Sequence, residues 1–377
     1  MKAFSLGRTA AMMAKEFIQM RRDRLTLGMM VGIPVIQLFL FGFAINSDPR
    51  HLPAVLVAPE RDASVAALVS AMEASRYFEF IGACGPEDAR QALVRGDALF
   101  ALHIPPGFSR ALLRGDRPEV LLEADATDPS ATGNAVAAIG EIAGRAWERD
   151  LVGPLAQLAP APGRPARVAV HRAFNPAGVS QFNIVPGLMG VILTMTMVMI
   201  TSLAITRERE RGTMENLLSM PLRPLEVMIG KIVPYICVGL VQVVLILLAA
   251  RYVFDVPVGG NLGVLLACTL VFIAANLAVG VTFSSVATNQ LQAVQMSFFF
   301  FLPSLLLSGF MFPYRGMPGW AQWLGEVFPL THFNRIARGV LLKGWGWADA
   351  GSELLPVSAF LVAALAFALS RYKQTLD

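Results

Sequence analysis

Charge is what this chain has least of. Only 15% of its 377 residues are Asp, Glu, Lys or Arg, where an ordinary soluble domain carries about 25%. Hydrophobic residues make up 55%, mean hydropathy is +0.56, and the apolar excess is gathered into long runs. That excludes a soluble core and implies an integral membrane protein. Cysteine is scarce as well. Cys84, Cys237 and Cys268 are scattered, so there is neither a disulfide framework nor a metal-binding spacing, and the four histidines are equally dispersed. No short-period repeat is present, which argues against a solenoid. A phosphate-cradling loop, G-x-x-x-x-G-K-S/T, is missing: Gly230-Lys231 is followed by Ile232 and has no upstream partner glycine. The apolar runs beyond the first hold no Asp, Glu, Lys, Arg or His in their central turns. Proton-coupled carriers depend on such groups. The chain is expected to bind no metal, cofactor or nucleic acid and to hold no catalytic residue.

What is there is apolar and periodic. A bilayer core takes about 20 apolar residues per helix. Six segments qualify: 25–45, 182–205, 227–254, 262–285, 291–312 and 354–369. The charged lead-in and the apolar run of the first are both too long for a cleaved signal peptide, so it reads as an anchor. Basic residues set the orientation. Lys2, Arg8, Lys15, Arg21, Arg22 and Arg24 precede span one. Arg207, Arg209, Arg211, Arg223 and Lys231 lie between spans two and three, and Arg371 and Lys373 follow span six. With six spans these groups share one side, which the positive-inside rule makes cytoplasmic, with both termini. Arg315, Arg335, Arg338 and Lys343 fall on the other side and run against the rule. Residues 1–24 read as an amphipathic interfacial helix, with Leu6, Met13, Phe17 and Met20 on one face and Arg8, Lys15 and Arg22 on the other.

Residues 46–180 are too long for a loop and read as an exported α/β domain. Strands are expected at 53–58, 77–83, 98–104, 119–124 and 168–174. Helices are expected at 62–75, 86–95, 106–114 and 128–150, with a Pro-rich linker at 154–165. Glu123, Asp125 and Asp128 gather near one strand end. They suit a metal or acid–base pair. Equally, Asp128-Pro129-Ser130 is a helix cap and turn, no nearby histidine is expected to complete a site, and His103 reads as a strand-end residue. Polar residues inside the later spans, from Asn183, Thr194 and Thr196 to Gln242, Asn276 and Gln295, serve as helix-to-helix glue or line a polar path.

The most sharply patterned polar segment is 207–231, RERERGTMENLLSMPLRPLEVMIGK. Span two is expected to run on as a helix into the Arg/Glu repeat and to end at Gly212. Residues 213–220 then form a short helix with Leu217 and Leu218 as an apolar knob, and Pro221 and Pro224 turn the chain back. A solvated charge run fits less well, because the middle of the segment is apolar.

Residues 208–224, in the form E-R-E-x-G-T-x-E-x-L-L-x-x-P-L-x-P, and their continuation through Glu226 and Gly230-Lys231 to Pro234 resemble the permease subunit of an ABC transporter of the ABC-2 type. So do the amphipathic start, the six-span plan with its large insert, and the cluster Pro313, Pro318, Trp320, Trp323, Pro329 and Leu330-Thr331 before the final span. The insert is similar to that of the multidrug or efflux subgroup. The resemblance implies an α-helical inner (plasma) membrane protein with spans 2–6 in a transmembrane core at 181–377. It implies export through a path built by two permease chains, identical or not, with ATP and Mg held by a separate ATPase subunit. Membrane lipids and a periplasmic adaptor are further partners to consider. It implies that the 206–231 loop couples to the ATPase through Glu208, Arg209, Gly212, Thr213, Met214, Glu215, Leu217, Leu218 and Pro221. It implies that 313–353 dips back from the outer face, bringing Trp320, Trp323, Arg335 and Arg338 to an interfacial position. Two other readings remain: a scaffold whose exported domain binds envelope components, and a membrane-bound enzyme active through residues 47–178.

Overall fold

The computed structural model describes residues 49–150, 166–210 and 224–371. The first part is a five-stranded mixed sheet: β1 (Leu52–Val57), β2 (Phe78–Ala83), β3 (Phe100–His103), β4 (Glu119–Asp125) and β5 (Arg167–Ala173), in the order β2-β1-β3-β4-β5. β1 runs parallel to β2 and β3, β3 and β4 are antiparallel, and β4 and β5 are parallel. Helices α1 (Ala63–Ala74), α2 (Pro86–Arg95), α3 (Phe108–Arg114) and α4 (Pro129–Asp150) connect and cover the strands.

Every residue of β1 is buried, because alternate side chains feed two cores. Leu52, Ala54 and Leu56 join Leu68 and Met72 of α1 and Ile139 and Trp147 of α4. Val55 and Val57 join Ala89 and Leu93 of α2. Local signals set the helix ends. Asp62 accepts from the Val65 amide and starts α1. Pro86 opens α2 and Gly96, at φ +81°, closes it.

The second part is helical: α5 (Ser180–Glu210), α6 (Pro224–Tyr252), α7 (Leu262–Val286), α8 (Gln290–Leu307), the short α9 (Gly319–Gly325), α10 (Pro329–Arg338) with a π-helical turn at Gly339–Lys343, and α11 (Trp347–Arg371). Five of these are long and apolar enough to cross a membrane, with apolar spans at Ser180–Ala204, Pro234–Tyr252, Leu262–Val286, Gln290–Leu307 and Trp347–Ala368. The expected span at 25–45 and the interfacial helix at 1–24 lie outside the described residues, as does the 154–165 linker.

Two span boundaries differ from the sequence reading. α8 stops at Leu307, although apolar residues continue to Phe312, because Gly309 takes φ +74° and leaves the helix. α11 begins at Trp347, well before the apolar run near Leu354, because its first turns are polar but helical. α7 is the centre of the bundle, with 72% of its apolar window buried against 11% for α11. Gly280 lets α5 approach closely: a Cβ there would lie 2.8 Å from the Val198 carbonyl oxygen and 2.7 Å from the Thr201 Cβ. α10 packs inside the bundle, its Phe333 stacked on Phe272 of α7 at 4.1 Å. Among the described residues the expected glue is realised where Thr196 meets Gln242 at 3.0 Å, Ser202 meets Ser297 at 3.0 Å and Arg338 donates to Asn183 at 3.1 Å. Thr269 and Asn276 instead bond the carbonyls of their own helix.

Candidate functional site

The segment after α8 and the sheet unit enclose a charged cleft of about 410 Å³. It is built from the C-terminus of α2 upward. A helix end leaves its last carbonyls without partners. Here donors from far along the chain supply them. Lys343 Nζ donates to the Leu93 carbonyl at 2.9 Å, Trp345 Nε1 to Val94 at 2.8 Å and Arg315 to Gly96 at 3.4 Å. Cations are favoured at this end of a helix dipole. Gly344, at φ +75°, turns the chain between Lys343 and Trp345.

Lys343 also donates to the Asp125 carboxylate at 2.6 Å, with both side chains buried. Asp125 accepts from the Thr127 amide at 3.0 Å and the Thr127 hydroxyl at 2.7 Å. Two ions removed from water hold only when matched this well. Arg338 stands beside them. It donates to Asn183 Oδ1 at 3.1 Å and the Gly309 carbonyl at 3.2 Å, and lies 4.0 Å from Asp128. Burial pushes its pKa down, while Asp128 and Asp125 oppose the shift. Asn183, in the first turn of α5, donates in turn to the Thr127 carbonyl at 2.9 Å. Strand end, helix start and bundle thus share one polar network.

A second cluster closes the other wall. Arg335 donates to Glu326 at 2.5 Å and to Glu353 at 3.3 Å. The Tyr314 hydroxyl sits against the Glu326 carboxylate, and its ring lies 4.6 Å from the Arg335 guanidinium. His332 contacts Glu353 at 2.6 Å through Nδ1 and the Glu326 carbonyl at 2.9 Å through Nε2. Burial opposes protonation of His332, but Glu353 and the Glu326 carbonyl outweigh it and its pKa is raised. Burial raises and the Arg335 and Tyr314 hydrogen bonds lower the Glu326 pKa, with a net fall. Burial, then Glu326, pushes the Tyr314 phenol up. Asp125, Asp128, Glu326 and Glu353 each face a cation, an arrangement that holds the elements together.

This geometry revises two sequence readings. Arg335 and Arg338 do not share the exposure of Trp320 and Trp323. The tryptophans are 49% and 75% exposed, whereas the arginines turn inward to the two networks. A charged side chain withdrawn from water needs carboxylates or carbonyls in reach, and both arginines have them. The acidic trio is also divided. Asp125 and Asp128 face Lys343 and Arg338, while His103 and His171 lie 3.0 and 3.4 Å from Glu123, so histidines do adjoin that carboxylate through strand pairing. Asp128 accepts from the Ser130 amide at 3.1 Å, as a cap does. Among the described residues no group of three or more His, Cys, Asp or Glu is placed to hold a metal.

At the opposite end of the bundle α5 continues beyond its apolar span, which ends at Ala204, to Glu210. Glu208 and Arg209 belong to its last turn. Gly212, Thr213, Met214, Glu215, Leu217, Leu218 and Pro221 lie outside the described residues. Glu210, a motif residue not singled out from sequence, accepts from the Gln290 amide at 2.7 Å and from Gln290 Nε2 at 2.5 Å. Those two hydrogen bonds, side chain first, hold its carboxyl below the usual range. Sequence reasoning also missed Asn183, Tyr314, Glu326, His332, Lys343, Trp345 and Glu353 as a set. The available signal was the four basic residues that broke the orientation rule. Each of Arg315, Arg335, Arg338 and Lys343 bonds within the protein.

Five apolar helices of this length define a multi-pass helical membrane protein. Similarity to known proteins is more specific. The chain belongs to the ABC-2 family of transporter proteins, whose model matches residues 24–370. It is 29% identical over 346 residues to the probable multidrug ABC transporter permease YbhS of Escherichia coli, covering 90% of each chain. It is 26% identical over 362 residues to the probable multidrug ABC transporter permease YbhR of the same organism, covering 95% of this chain and 97% of the relative. The inner membrane transport permease YhhJ of E. coli is 30% identical over 293 residues, 74% of each. The protein is therefore a transport permease component.

Proposed function

We propose that this chain is the transmembrane subunit of an ATP-driven exporter, acting as a dimer and moved by a separate ATPase. The reading places both termini in the cytoplasm, a first span at 25–45, the α/β unit within an exported insert at 46–180, and the 206–231 loop against the ATPase. The similarity across 24–370 carries it, because it spans the loop motif and the bundle together. The structure supports it at α5. A 31-residue helix leaves its apolar span at Ala204 and leads straight to the loop. A rigid rod of that kind passes on a push at one end. YbhS and YbhR are named as probable multidrug permeases, which makes drugs the first cargo to try.

The test is co-reconstitution of the chain with an ABC ATPase subunit. Leu217→Asp places a charge on the expected apolar knob. Insertion and amount in the membrane should match wild type, while ATP-dependent transport should fall by about tenfold or more, as loss of a hydrophobic anchor does. Transport at the wild-type rate would refute coupling through this loop.

A further inference from the structure

We infer that Glu210 is a positioning residue that ties the loop end of α5 to the first turn of α8, so that a push on the 211–223 loop is delivered to both helices as a pair. This rests on the proposed ATPase coupling, and goes beyond it by naming a joint the loop motif does not predict. Glu210 is the last described residue of α5. Its two carboxylate oxygens take two different groups of one residue, the Gln290 amide and the Gln290 side chain. The contact joins residues 80 apart in sequence.

α8 does not need Glu210 as its cap. Asn289 accepts from the Gln292 amide at 2.9 Å, and Gln292 Oε1 accepts from the Thr288 amide at 2.9 Å and from its hydroxyl at 2.8 Å. The start of α8 is thus already folded on itself, and Glu210 adds a cross-helix bond to a finished helix end. Its negative charge also suits the N-terminal end of the α8 dipole.

The bond has a partner within the span. Ser202 of α5 meets Ser297 of α8 at 3.0 Å, both buried. Stepping from Ser202 to Glu210 on α5 and back from Ser297 to Gln290 on α8 follows one antiparallel register, about 12 Å along α5 and about 10.5 Å along α8 at about 1.5 Å per residue. Two rungs in register fix both the spacing and the sliding of the pair, whereas one alone permits a pivot. The lower rung is exposed and charge-assisted, so it adds direction and little to stability.

A crosslink and two substitutions test this. Cys84, Cys237 and Cys268 are changed to alanine, and Glu210→Cys with Gln290→Cys are joined by a short bis-methanethiosulfonate reagent in the complex with ATPase. The linked complex should transport at the rate of the unlinked one, because the two ends travel together. Glu210→Ala should lower transport about tenfold while ATP hydrolysis by the complex continues, an effect typical of lost coupling between sites. Glu210→Gln keeps an acceptor for the Gln290 amide and should restore most of the rate. Arrest of transport by the linker, or normal transport in Glu210→Ala, would overturn the assignment. Hydrogen exchange of the Gln290 amide, measured on the permease alone, should be faster in Glu210→Ala. An unchanged rate there would overturn the joint even if no ATPase drives transport, which separates failure of this inference from failure of the functional reading.

Discussion

The two ends of the helical bundle are fastened in opposite ways. Where it meets the sheet, Lys343, Asp125 and Arg338 are withdrawn from water and the cations serve carbonyls of α2 as well as carboxylates. At the far end of α5, a cross-helix hydrogen bond joins Glu210, which is exposed, to Gln290, which is half-buried. Buried ion pairs are costly to break once formed, because either partner left alone is an uncompensated charge in a poor solvent. Exposed pairs are exchanged for water at little cost. The sheet end is accordingly a joint held by stability, whereas at the other end α5 and α8 are held in register by a bond that adds direction and little stability. A transport subunit moved from one side has use for both.

The sharpest way to break the contrast is Lys343→Met. It strands Asp125 at 3% exposure and removes the donors to Leu93. Loss of one partner of a buried pair costs about 3–5 kcal/mol. Thermal unfolding in detergent should show a large fall in midpoint. The double change Lys343→Met with Asp125→Leu should be less destabilised than the single change. Equal losses for single and double variants would mean that the pair is not what holds the joint.

A smaller effect is expected from pH at His332. The His332 pKa is raised above its unfolded value by Glu353 and the Glu326 carbonyl acting against burial, with Arg335 opposing. The sign follows from linkage. The stability from protonated His332 is fully present below the unfolded value near 6.5 and is lost as pH rises through the raised folded value. Wild type should exceed His332→Gln by about 1–2 kcal/mol near pH 6, the worth of a hydrogen bond to a charged group. The gap should narrow as the pH rises through that raised value. A gap that stays constant with pH would show that shape, and not charge, is what His332 contributes.

How far the sequence reveals this depends on whether the cause is local. Asp62, Pro86 and Gly96 mark helix ends within a few residues of themselves, and the structure uses each of them where the pattern puts it. The unbroken apolar run of β1 already states that both faces of that strand are covered. Lys343 with Asp125 could not be read, because the partners are 218 residues apart and nothing in either neighbourhood names the other. Only the conflict of four basic residues with the orientation rule showed that something must compensate them. The start of α11 was hidden for a different reason. Hydropathy finds where a helix needs an apolar surround, and Asp349 and Glu353 sit in helical turns that face other partners.

The smallest change in stability should come from Trp323→Ala, and it sharpens the contrast by isolating a residue that neither joint uses. Trp323 is 75% exposed and stands on α9 beside Trp320, near exposed Val327. A surface substitution clear of packed neighbours stays within about 0.5 kcal/mol, so the unfolding midpoint in detergent should be almost unchanged. Its effect belongs to the lipid boundary, where indole rings settle at headgroup depth. In vesicles, lipids carrying a quencher near the headgroup should dim wild-type tryptophan fluorescence more than they dim Trp323→Ala. If a water-soluble quencher instead distinguishes the two proteins and the lipid quencher does not, α9 faces the aqueous side, and its apolar rim is left for a second protein to cover.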